Sequence, residues 1–251
     1  MGKYDGILIM SDWDGTLCRD ESVTPENCEA IRRFQAEGGL FTVCSGRINT
    51  HFDRFRHFLL PNAPICAYNG ALIVDVDGKI LYESFVGEDI LYMAKDLLSR
   101  GVFSRLNTYT KENGTPVTCN ADDFINNFEK YAGMHHYKLV FVGDSEEQTL
   151  RGRDYIEGVL PEGYIAARSW ATGLEILRSS ATKDKAALFL KSYTGARLLV
   201  AAGDFENDAQ MLSAADIGYA VANAVPVTKA AADRITVSVT ESAIAAIINE
   251  L

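Results

Sequence analysis

The stretch Ile7 to Leu17, ILIMSDWDGTL, constrains this chain more than any other. Ile7, Leu8, Ile9 and Met10 form an unbroken apolar run. Such a run suits a strand of a parallel sheet covered on both faces, because a half-exposed strand would alternate. Asp12 and Asp14 follow at once, with Trp13 between them and Gly15-Thr16 behind. The strand therefore runs straight into a turn able to wrap round a small anion or a metal. Two carboxylates at the end of a buried strand are costly unless a cation or a shared proton accompanies them. A site is expected here rather than an ordinary turn.

The same layout recurs twice. Leu40 to Cys44 reads as a buried strand ending in Ser45-Gly46-Arg47, which places a hydroxyl and free backbone N–H groups where a helix from about Ile48 to Leu60 begins, a natural cradle for phosphate. Leu198 to Ala202 reads as another, ending in Gly203-Asp204-Phe205-Glu206-Asn207-Asp208. Between strands the chain supplies helices. Thr24 and Pro25 form an N-cap and first helical position ahead of Ala30, Ile31 and Phe34, and Gly38-Gly39 ends that helix. Ile65 to Tyr68 is a third strand closed by Asn69-Gly70, and Ala71 to Val76 pairs with Lys79 to Glu83 as a hairpin turning at Asp77-Gly78. The rhythm of strand and helix predicts an α/β core with a parallel sheet. In open parallel sheets ligands bind beyond the carboxyl ends of the strands, so the three polar clusters should converge on one crevice.

Between about Ser84 and Arg178 the character changes. Aromatics thicken, and helices at Asp89 to Leu98, Ala121 to Ala132 and Ser145 to Glu157 accompany strands at Tyr137 to Val142 and Gly173 to Leu177. This predicts an inserted α+β domain, with the chain read as residues 1–82 and 179–251 forming the core and 83–178 the insert. The core rhythm resumes with a helix over Thr182 to Tyr193 that carries Lys183 in its first turn. Ala209 to Ala214, Pro226 to Ala232 and Glu241 to Asn249 are also expected to be helical, and Ile217 to Val221 a strand.

Composition excludes several classes. With 251 residues, 47% of them hydrophobic, a sizeable core is within reach. A net charge of −10 argues against nucleic acid as a partner, since the basic stripe that neutralises phosphates is missing. No run approaches the ~18 apolar residues of a membrane span, and MGKYDG lacks the layout of a signal peptide, so a cytoplasmic protein is expected. The five cysteines are scattered without Cys-x-x-Cys spacing, which indicates neither a disulfide framework nor a zinc site. Oligomeric state is not written in any of these features.

In this order, Asp-x-Asp-Gly-Thr, Ser-Gly-Arg, a late Lys and Gly-Asp-x-x-Asn-Asp resemble the haloacid dehalogenase superfamily of phosphohydrolases. The insert between Asn69-Gly70 and Lys183 resembles the large cap of the Cof-type, or type IIB, subgroup, which includes sugar phosphatases. The resemblance spans essentially the whole chain; Trp13 stands where Leu or Phe is common, and Asp184 where Gly is. It implies a Rossmann-like α/β core with an inserted α+β cap and a Mg²⁺-dependent phosphatase acting on a small phosphorylated metabolite. Asp12 would be the nucleophile that forms an aspartyl-phosphate, and Asp14 the general acid and base. Asp12, Asp204 and the backbone carbonyl of Asp14 would hold Mg²⁺, with Asp208 orienting them. Lys183, Ser45, the Gly46 and Trp13 N–H groups and Asn207 would hold the phosphate oxygens. Arg47 is expected either to bind substrate or to form a structural ion pair, and Asn69 is a further substrate-binding candidate. Of His135-His136, adjacent residues of a strand, one is expected in the core and one at the surface. A phosphotransferase or mutase using the same aspartyl-phosphate, and a catalytically silent binding protein, are the alternatives. A dinucleotide binder is disfavoured, since no Gly-x-Gly-x-x-Gly follows the first strand.

Overall fold

The computed structural model describes residues 2–55 and 61–251. The opening apolar run forms β1 (Ile7–Ser11). α1 (Pro25–Ala36) begins as its residues dictate, with the Thr24 hydroxyl accepting a 3.4 Å hydrogen bond from the Asn27 N–H and Pro25 in the first turn. After β2 (Leu40–Val43) the chain makes a 3-10 helix over Asn49–Phe55 where the pattern predicts an α-helix. Asn49, Thr50 and Asp53 are weak α-formers whose side chains compete for backbone partners. The rest of that predicted helix, residues 56–60, lies outside the described residues. β3 (Ile65–Ala67), β4 (Leu72–Val74) and β5 (Ile80–Glu83) make a small sheet in that order.

The chain continues through α2 (Glu88–Ser99), β6 (Arg105–Thr110), β7 (Val117–Asn120), α3 (Ala121–Asn126), α4 (Phe128–Ala132), β8 (His136–Val142), α5 (Glu146–Glu157), β9 (Tyr164–Trp170) and β10 (Gly173–Arg178). It closes with α6 (Lys183–Thr194), β11 (Leu198–Gly203), α7 (Ala209–Ala214), β12 (Ile217–Ala220), α8 (Pro226–Ala231), β13 (Arg234–Ile235) and α9 (Ala243–Glu250). Two compact units result, Met1–Tyr82 with Lys183–Leu251, and Glu83–Thr182. The α/β class expected from the sequence stands.

In the first unit five parallel strands lie in the order β13-β12-β11-β1-β2. β1 is flanked by β11 and β2, with Ile9 opposite both Val200 and Phe41. Ile9 joins Phe41, Val43 and Val200 in a core shared with α1 and α9, while Leu8 and Met10 join Leu199 and Ala201 in a second core shared with α6 and α7. Both faces are covered, and this is why the run does not alternate. Burying each such side chain contributes about 1.5–3 kcal/mol. The strand order reverses at β1, with β2 on one side and β11 on the other, which makes the ends of β1 and β11 the switch point of the sheet.

The second unit has an antiparallel sheet in the order β7-β6-β8-β10-β9. Alternate residues Leu106, Leu139, Phe141, Leu174 and Ile176 pack with Ile90, Leu97, Phe124, Phe128 and Ile156 of its helices. The helix predicted over Ala121 to Ala132 is two helices, because the Asn127 amide turns back to the Asp123 carbonyl and carboxylate at 3.0 Å each. β6, β7 and β9 were not expected from the sequence. No helix among the described residues is long and apolar enough to cross a membrane.

Candidate active site

Asp12 leaves β1 with its backbone N–H bonded to the Ala202 carbonyl at 2.8 Å, so the switch point itself fixes where its side chain emerges. It is 6% exposed. Lys183, the first residue of α6, reaches it from the opposite direction, and its ammonium donates to Asp12 Oδ1 and to Asp208 Oδ1, each at 2.6 Å. The other oxygen of Asp208 accepts the backbone N–H groups of Asp204 and Phe205 at 3.0 and 3.1 Å. Asp208 thus shapes the loop after β11 and ties it to Lys183, an orienting position. Asp204 Oδ1 accepts the hydroxyl of Thr16 at 3.0 Å.

Asp12, Asp204 and Asp208 each offer a carboxylate oxygen, all within 4.8 Å of one another. One ammonium for three carboxylates leaves the cluster short of positive charge. Burial, then Asp208, pushes the Asp12 carboxyl well above its usual range. Burial and Asp208 push Asp204 up to about 7. Burial alone would lower Lys183, yet Asp12 and Asp208 hold it firmly protonated. Hard oxygen donors crowded to the point of resisting ionisation are a donor set that fits a divalent cation such as Mg²⁺. Two glycines keep the space open. Gly15 stands at φ 82°, and a Cβ there would meet the Asp204 carboxylate; a Cβ on Gly203 would meet the Asp208 side chain.

Asp14 stands apart from this cluster. Its carboxylate is gripped by the Arg47 guanidinium, Nε to Oδ2 and Nη2 to Oδ1, both at 2.8 Å. Of the two expectations for Arg47, an ion pair is therefore what forms, but with a residue from the key motif. The Trp13 ring lies in the core, 4.6 and 5.2 Å from the rings of Phe55 and Phe52 by centroid, so only its backbone is left to face a ligand. Ser45 is buried and clamped, its N–H bonded to the Cys66 carbonyl at 3.0 Å and its carbonyl to the Asn69 N–H at 2.8 Å. Its hydroxyl accepts the Arg47 N–H at 3.2 Å, with half-buried Gly46 between. Asn69 is buried at φ 59° beside Tyr68 at φ 50°, and its Oδ1 accepts from Asn207 Nδ2 at 3.4 Å. The loops after β2, β3 and β11 thus meet beside those after β1.

Two supporting residues escaped the sequence reading. Thr16 was read only as part of a turn, although a hydroxyl two residues past Asp14 was a visible candidate for a carboxylate partner. Asn223, whose amide donates to the Gly15 carbonyl at 2.8 Å, carries no motif that could have flagged it.

Residues 9–248 match the family of haloacid dehalogenase-like hydrolases. The chain belongs to this family. Among its relatives, the 5-amino-6-(5-phospho-D-ribitylamino)uracil phosphatase YitU of Bacillus subtilis is 25% identical, over 97% of this chain and 96% of its own. Phosphoglycolate phosphatase 2 of Saccharolobus solfataricus is 27% identical over 92% and 85%. The solved structure of the HAD subclass IIB sugar phosphatase BT4131 superimposes with a TM-score of 0.80 at 19% identity, covering 97% of this chain and 98% of that one. The superfamily resemblance drawn from the motifs agrees with the family match for this haloacid dehalogenase-like hydrolase.

Proposed function

We propose that this phosphoric monoester hydrolase is Mg²⁺-dependent and releases phosphate from a small phosphorylated metabolite, a sugar phosphate in the first instance, through an aspartyl-phosphate on Asp12. The observation that carries this reading is the buried Asp12 at the switch point, bonded to Lys183 and crowded by Asp204 and Asp208. Asp12 and Asp204, with the backbone carbonyl of Asp14, would hold the cation, and Asp208 would orient them. When bound, Mg²⁺ supplies the positive charge that lets an anionic nucleophile approach an anionic ester.

The chain's own residues do the rest. An oxygen of Asp12 attacks phosphorus as the ester bond breaks, and the departing oxygen takes its proton from Asp14. Water then attacks the aspartyl-phosphate and gives a proton to Asp14, releasing inorganic phosphate and restoring Asp12. Lys183 offsets the charge gathering on the phosphoryl oxygens. Ser45, Asn207 and the Gly46 and Trp13 N–H groups orient them, with Asn69 positioned to steady Asn207. On this reading the inserted unit is the cap that selects the leaving group. The ribityl phosphate and sugar phosphate named for two relatives favour a polyol or sugar ester. Five buried free cysteines suit a reducing, cytoplasmic setting.

The test is phosphate release from a panel of phosphorylated metabolites, with Mg²⁺, with EDTA, and with Asp12→Asn. Release that requires Mg²⁺ and disappears in Asp12→Asn supports the mechanism. A folded enzyme that isomerises or merely binds a sugar phosphate would overturn it.

A further inference from the structure

Charged side chains gather at the turn of the hairpin that follows Asp14. Arg19 and Ser22 exchange two backbone hydrogen bonds of 2.9 Å, which makes Asp20-Glu21 a two-residue turn. Both turn residues stand at positive φ, 51° and 58°. Turns of this kind favour Asn-Gly or Gly-Gly, because an L side chain in the left-handed region is strained. Strain of this sort persists only where the surroundings enforce it.

The Glu21 carboxylate at this turn faces two guanidinium groups and an imidazole. It lies 3.0 Å from Arg54 Nη2, 3.8 Å from Arg47 Nη2 and 4.0 Å from His51 Nε2, all on the segment that follows Ser45-Gly46. Arg47 in turn forks Asp14. Arg47 and Asp14 are 44% and 52% exposed, and pairs so open to water contribute little to stability. What a planar two-point grip does supply is placement, since it fixes both carboxylate oxygens at once.

We propose that Glu21 and Arg47 are positioning residues: the strained turn holds Glu21 where its charge orients the Arg47 guanidinium, and Arg47 fixes the carboxyl group of Asp14 on the loop after β1. The relay rests on the reading of Asp14 as proton donor to the leaving oxygen. It makes Arg47 neither a substrate anchor nor a surface ornament. It also explains why a glutamate occupies a turn position whose backbone would prefer glycine.

The experiment is a leaving-group series. kcat and KM are measured for Glu21→Gln, Glu21→Gly, Arg47→Lys and Asp14→Asn in the full chain with Mg²⁺. The substrates run from 2,4-dinitrophenyl phosphate, whose leaving group departs without a proton, to an alkyl phosphate that needs one. Losing a well-placed proton donor lowers kcat/KM, which ends with departure of the leaving group and so omits the water step, on the alkyl ester by about tenfold or more and on the activated ester by less than about threefold. This pattern is expected in all four variants, with KM for the alkyl ester little changed. Glu21→Gly is the sharpest case, because relaxing the turn should raise the thermal midpoint while the leaving-group-dependent loss remains.

Equal losses on both esters, full activity in Glu21→Gly, or a change in KM alone for Arg47→Lys would overturn the relay. A steep profile in Asp14→Asn beside flat profiles in the Glu21 and Arg47 variants would overturn the relay alone. A flat profile in Asp14→Asn would remove the proton-donor reading and the relay with it.

Discussion

Lys183 is the residue on which the buried charge of the site balances. Its side chain is 2% exposed, with two carboxylates at 2.6 Å. Lys183→Met should therefore cost about 3–5 kcal/mol of stability, the range for breaking a buried pair and leaving its partners uncompensated. Asp12→Asn removes one of the crowded carboxylates and should lose activity without a comparable loss. Denaturant unfolding of the two variants at neutral pH checks the contrast, and equal midpoints would contradict it. Lys183 illustrates what the sequence can and cannot tell. A lysine in the first turn of a helix is ordinarily solvated, and only its company with three motifs made it a candidate. Arg47 is the converse case: its neighbours marked it as important, but its partner could not be read from spacing, because the Asp14 contact spans 33 residues and depends on how two loops meet.

At the level of elements, the strands legible in advance were those whose burial is uniform, such as β1, β8 and β11. β6 and β7 were not, since RLNTYT and VTCN have only two apolar residues each and carry little apolar signal. The break between α3 and α4 turned on the side chain of Asn127, which propensity alone does not locate. β8 carries a testable consequence. His136 at its start is fully buried, Nε2 lies 2.8 Å from the Tyr131 carbonyl, and Nδ1 has no partner, while His135 faces solvent. Burial lowers the pKa of His136 below its ordinary 6.5. The unfolded chain then binds a proton that the folded one refuses, so this residue leaves stability intact above pH 6.5 and erodes it as pH falls below, until the lowered folded value is reached. The slope from one such group is at most about 1.4 kcal/mol per pH unit. His136→Gln should flatten it, as thermal unfolding between pH 7 and about 5 would show.

The molecule as a whole consists of two units with separate cores, and only one of them holds the acidic cluster. A ligand that binds the folded state alone raises stability by RT ln(1 + [L]/Kd), about 2.7 kcal/mol at a hundredfold excess over Kd. In calorimetry Mg²⁺ should therefore raise the transition of the unit containing Asp12, and acid should lower that of the unit containing His136. A shift of the second unit alone on adding Mg²⁺ would refute the assignment of the metal to the acidic cluster.

The insertion also sets a timetable. Asp12 and Lys183 touch, yet they are 171 residues apart, and β1 has β11 as a neighbour on one side. During synthesis at about 5–20 residues per second, β1 emerges roughly ten seconds or more before that neighbour exists. Through that interval one edge of β1 waits for its partner, while Glu83–Thr182 is complete before β11 is made and has all the residues of its own core. The cluster of Asp12, Asp204 and Asp208 therefore cannot form until residue 208 has been made.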